Sequence, residues 1–71
     1  MKKVMIFGRT AKLGEWVGFK SDVEQSGKIV AIRPTKAIGG GFELVLENPN
    51  GFHGDYIGGS RRTVVDATDC W

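Results

Sequence analysis

The sequence predicts an all-β chain that curls into a small barrel of five or six short strands. Three observations carry this. Short apolar runs rich in Val, Ile, Phe and Leu recur at intervals near ten residues. Gly- and Asn-rich breaks separate them. No stretch of useful length shows an apolar period of 3.6 residues, so helices are not expected.

Seventy-one residues make one domain, 1–71. A chain of this length buries only about 60% of its unfolded surface, so its stability margin is thin. Cys70 is the sole cysteine. It excludes an internal disulfide and suits a reducing compartment. The core must come from the 41% hydrophobic residues, with self-association as a further source of burial. The apolar run Val4 to Phe7 is too short for a signal-peptide core, and no run approaches a membrane span. The expected location is the cytoplasm.

The elements follow in order. Lys2 to Phe7 reads as a first strand and Gly8 to Lys12 as a basic loop, with Leu13 tucking back into the core. Glu15 to Lys20 alternates, with Val17 and Phe19 on one face and Trp16, Gly18 and Lys20 on the other. Gly18 inside a strand predicts a bulge, a bend or close backbone approach. Ser21 to Ser26 is polar and turn-like. Gly27 then admits a positive φ, and Lys28 to Arg33 carries four consecutive apolar residues, as a central or doubly covered strand does. Pro34 has no N–H for a ladder and ends that strand.

Thr35 to Gly41 is a loop. Phe42 to Asn48 is the clearest half-buried strand, with Leu44 in the core and Glu43 and Glu47 outside. Asn48-Pro49-Asn50-Gly51 is a turn. Tyr56-Ile57 forms a short strand and Arg62 to Val65 the last one. Asp66 caps a single helical turn reaching Asp69.

Gly14-Glu15-Trp16-Val17-Gly18-Phe19, followed by Gly27-Lys28-Ile29-Val30-Ala31-Ile32, resembles the KOW motif of SH3-like barrels. The matching positions are Gly14, Val17, Gly27, Ile29 and Ile32. The resemblance implies an SH3-like (KOW/Tudor-type) barrel. Members of that family contact RNA, DNA or proteins, and Tudor-type barrels hold methylated side chains in aromatic cages. Here the Ser21 to Ser26 loop carries two acids where nucleic-acid-binding members are often basic. The whole chain resembles small uncharacterised proteins of tailed bacteriophages, a likeness that implies no activity.

The net charge of +2 is unevenly spread. Residues 1–36 hold eight Lys/Arg against three acids, a net of +5; residues 37–71 hold two against five, a net of −3. Such asymmetry marks either a face for an anionic partner or charge that folding mixes over the surface. Structural zinc wants four ligands in paired spacings, and His53 and Cys70 do not make a set, so no metal or other cofactor is expected. A Cys70–His53 nucleophile pair would stand where chains fray. Gly39-Gly40-Gly41 precedes a strand rather than a helix and is not a phosphate loop. Asp22 and Glu24 read as a solvated turn rather than an acid/base pair.

Trp16 therefore stands out. An exposed Trp beside Lys and Arg stacks on single-stranded nucleic acid, anchors a protein partner, or closes one end of the barrel. The expected function is that of a non-catalytic binding module, not an enzyme. Trp16 would stack, and Lys20, Lys28, Arg33 and Lys36 would meet phosphates. Arg61 and Arg62 would join them if the fold brings them near. The alternative is a protein-interaction module that binds or inhibits a host protein through Trp16, Phe52 and Tyr56. A homo-oligomer paired through an edge strand or the Ile29 to Ile32 face is the third expectation.

Overall fold

The computed structural model describes residues 2–21, 23–36, 40–53 and 59–71. It is all-β, with two antiparallel sheets and one 3-10 turn. β1 (Lys3–Ile6) and β2 (Arg9–Lys12) form a hairpin. β3 (Trp16–Ser21), β4 (Val23–Pro34), β5 (Phe42–Glu47) and β6 (Arg62–Asp66) form a four-stranded meander in that order. As paired among the described residues, neither sheet closes on itself.

The predicted alternations set the faces. Val17 and Phe19 of β3 and Leu44 and Leu46 of β5 are buried. They meet Val4, Ile6 and Ala11 of the hairpin, so one core joins the two sheets. β4 is central, as its apolar run requires. A bulge between Ile29 and Ala31 keeps Ile29 and Ile32 both inward and leaves Val30 outside. β4 ends at Pro34, and two oxygens of Asn48 close the next turn as expected: Gly51 N donates to Asn48 O at 2.9 Å and Asn50 N to Asn48 Oδ1 at 2.9 Å.

Several expectations are corrected. Arg9 to Lys12 is a strand, because its backbone pairs with β1 and its single inward residue, Ala11, fits under the sheet. Ser21 to Ser26 is mostly strand too: β3 runs to Ser21 and β4 starts at Val23. Leu13 is 42% exposed rather than tucked in. Gly27 does not have positive φ. Its role is steric: a methyl group there would lie 2.8 Å from Phe52 Cζ and 2.9 Å from Leu46 Cβ. The Tyr56-Ile57 strand and Asp22 lie outside the described residues.

The end of the chain is tied down rather than frayed. Asp66 caps the 3-10 turn Ala67–Asp69, accepting from Thr68 N at 2.9 Å. The chain then returns to the free side of β3. Gly18 N donates to Trp71 O and Trp71 N to Gly18 O, both at 2.9 Å. Phe19 bridges Cys70. Cys70 is thereby buried in the core.

Candidate nucleic-acid interface

The outer face of β3 and β4 is set by register. Trp16 lies opposite Lys28, Gly18 opposite Ser26, and Lys20 opposite Glu24. Alternation sends Val17, Phe19 and Ser21 inward, so Trp16, Gly18 and Lys20 face out. Trp16 is 48% exposed, as the sequence predicts.

A second tryptophan joins it. A methyl group on Gly18 would lie 2.7 Å from Trp71 Cε2, so the indole of Trp71 covers the outer side of Gly18. Trp71 is 46% exposed. It is paired with Gly18, which makes it the diagonal cross-strand neighbour of Trp16, at a typical backbone spacing of about 7–8 Å. Arg9 locks both backbones: its guanidinium donates to Trp16 O and to Trp71 O, each at 3.3 Å, and lies 3.5 Å from Glu15. Phe7, at the tip of the β1–β2 hairpin, lines a groove with Trp71 and Glu24.

On the other side of Trp16, a groove is lined by Lys28, Glu47, Asn48, Pro49 and Arg61. Glu47 is neutralised by Arg62, whose Nε donates to it at 2.8 Å. Lys28 and Arg61 form no ion pair among the described residues. The Asn48 side chain holds the floor by donating to Ser26 O at 3.0 Å.

Of the five residues predicted to make the site, Trp16, Lys20 and Lys28 share this face. Arg33 does not belong to it. It lies about 15 Å further along β4 at ordinary strand rise, beyond the bulge, and pairs with Glu43 at 3.2 Å. Lys36 follows the end of β4, still further away, and is exposed. Arg61 takes the place the sequence assigned to them, because the β5–β6 connection folds back beside Lys28.

One predicted anchor also changes. Phe52 is fully buried, its ring centroid 5.6 Å from that of Phe19. It is a core residue and not a contact for a partner. The Gln25 side chain fixes this segment through two bonds to the His53 backbone, of 2.7 and 2.8 Å. Tyr56 lies outside the described residues. Cys70 is no activated nucleophile, since burial, together with Asp69 and Asp66, pushes its thiol up to about 11.

Trp71 and Phe7 are the residues that sequence reasoning missed as site members. One signal for Trp71 existed: Gly18, a glycine inside an alternating strand, announces close approach without naming what approaches. No family model, curated relative or solved structure matches this chain.

Proposed function

We propose that this chain is a non-catalytic binding module built on an SH3-like barrel plan, and that its Trp16–Trp71 face contacts single-stranded nucleic acid. One observation carries the reading. Two half-exposed indoles lie diagonally on one sheet face, with Lys20 and Lys28 in the flanking rows and Arg61 beside Lys28. Stacked bases need open ring faces, and the backbone between them needs cations within reach. The barrel plan draws support from the return of Cys70–Trp71 to β3, which gives that strand neighbours on both sides. The KOW-like residues from Gly14 to Ile32 lie in the same place, on β3, β4 and the segment leading into them. On this reading the chain is a small accessory protein of the kind tailed phages encode, acting in the cytoplasm.

The test is a titration of labelled single-stranded RNA, single-stranded DNA and duplex DNA at two salt concentrations. Single strands should bind, quench tryptophan emission and lose affinity with salt, with a slope of about −0.7 per phosphate met. Trp16→Ala and Trp71→Ala should each weaken binding about 5- to 150-fold. Absence of binding to every probe at low ionic strength refutes the proposal.

A second reading is favoured by the β1–β2 hairpin, where Phe7 is 84% and Met5 70% exposed. Exposed large apolar residues anchor protein partners. On that reading the chain binds or inhibits a host protein, and a stoichiometric protein recovered from host lysate after nuclease treatment would favour it.

A further inference from the structure

β6 is the outermost strand of the four-stranded sheet, and among the described residues no strand pairs with its other side. Asn48 N donates to Arg61 O at 3.0 Å, which fixes the phase of the β5–β6 ladder. Antiparallel alternation then turns the backbone groups of Thr63 and Val65 toward Leu46 and Leu44, and those of Arg62, Val64 and Asp66 away from β5. Ser60 Oγ already donates to Arg62 O at 2.8 Å and accepts from Arg62 N at 3.2 Å. Cys70 Sγ donates to Asp66 O at 3.5 Å. Among the described residues no hydrogen bond engages the N–H or C=O of Val64.

The sequence of this edge is charge-antisymmetric about the same residue. Arg62 stands two places before Val64 and Asp66 two places after, with Thr63 and Val65 between. Antiparallel pairing of two copies about Val64 sets Arg62 opposite Asp66 of the second copy, twice, and Val64 opposite Val64. Opposite charges facing across a ladder stabilise it and like charges oppose it. Sliding the register to centre on Arg62 or Asp66 sets like charges against each other, parallel pairing does the same, and centring on Thr63 or Val65 leaves the charges facing Val64, so only the Val64-centred alignment pairs opposite charges. Val64 is 46% exposed and adjoins Val45 on the outer face. The seam would continue that apolar stripe from one copy into the next.

We propose that the chain self-associates as a two-fold dimer through antiparallel β6–β6 pairing centred on Val64, giving one eight-stranded sheet. β3, with Trp16 and Trp71, stays at the far side of each copy's sheet. Arg61 and Glu47 lie near both surfaces, so the pairing is measured on the protein without nucleic acid. With Ser60 holding the backbone of Arg62, the seam has its backbone bonds at Val64, and at either end Arg62, which also pairs with Glu47 of its own copy, faces Asp66 of the second copy. A contact of five residues is small, and association on the order of 10–100 µM is expected.

Sedimentation equilibrium of the wild-type chain from about 10 µM to about 1 mM tests this, because that span brackets the association expected of so small a contact. The mass should rise from 7.7 kDa toward twice that value. Val64→Cys should form a disulfide-linked dimer on mild oxidation, because opposed Cα atoms in a hydrogen-bonded pair lie about 5.5 Å apart, within disulfide reach. Cys70 is buried and does not compete. Thr63→Cys, which faces Val65 of the second copy, should not crosslink. Val64→Lys, with circular dichroism unchanged, should be monomeric throughout. A wild type that stays monomeric at the top concentration overturns the proposal. So does a dimer that Val64→Lys leaves intact, or a Val64→Cys dimer that fails to crosslink.

Discussion

Replacing Gly27 by Ala inserts one methyl group at the tightest point of the core. That methyl would lie 2.8 Å from Phe52 Cζ and 2.9 Å from Leu46 Cβ. Ordinary carbon contacts begin near 3.5 Å, so each neighbour must retreat by more than half an ångström. Neither yields easily. Leu46 Cβ is fixed to a central strand, and the Phe52 ring is fully buried against Phe19. Overpacking of this kind costs about 1–3 kcal/mol. The stiffer unfolded chain offsets about 0.4–1 kcal/mol of that. A net loss of about 1–2 kcal/mol is expected, against a total stability of about 4–11 kcal/mol for a chain of this length. The melting temperature followed by circular dichroism should fall by about 4–16 °C. Adding Phe52→Leu should recover part of the loss by vacating the space the methyl needs. An unchanged or raised midpoint for Gly27→Ala would refute the steric account of this glycine.

Gly18→Ala should behave differently, since its methyl strikes the half-exposed indole of Trp71, which has solvent to move into. Tryptophan emission should shift and single-strand binding weaken, with a smaller loss of stability than Gly27→Ala; equal stability losses for the two would contradict this. Both the N–H and the hydroxyl of Thr68 donate to Asp66, holding its carboxyl below its ordinary 3.8. A depressed value means that the stabilisation is present above about 3.8 and is lost as pH falls through the folded-state value. The stability gap between wild type and Asp66→Asn, from urea midpoints, should thus shrink between pH 7 and pH 3, and a gap independent of pH would rule the linkage out. Burial raises the Cys70 thiol from 9.0 to about 11, so its contribution is complete below pH 9 and is lost as pH climbs toward 11. At pH 8 a thiol reagent should label Cys70 slowly in the folded chain and rapidly in urea, and fast labelling of the folded chain would show that the thiol is not packed as described.

Much of the fold was legible because local pattern and tertiary position agree. Leu44 and Leu46 alternate with Glu43 and Glu47, Pro34 stops a ladder, and Asp66 starts a turn; each acts through its immediate neighbours. What escaped is decided by distant parts of the chain. Arg9 to Lys12 and Val23 to Ser26 are too polar to announce themselves, and become strands because partners lie beside them. Phe52 sits in a turn-rich segment and looks like an exposed anchor, yet Gly27 leaves a hollow for its ring. The site was half legible for the same reason. Alternation places Trp16 and Lys20 outward and register adds Lys28, but only the folded chain brings Arg61 and Trp71 alongside, and only the β4–β5 pairing ties Arg33 to Glu43.

The strap formed by Cys70 and Trp71 has a kinetic consequence. Its partners, Phe19 and Gly18, lie more than fifty residues upstream, so nearly the whole chain must be arranged before these bonds form. Contacts of such long range close late and slow the search for the native state. Until the strap docks, one side of β3 stands open as a template for a neighbouring molecule. Refolding yield should therefore depend on protein concentration even where the finished structure does not.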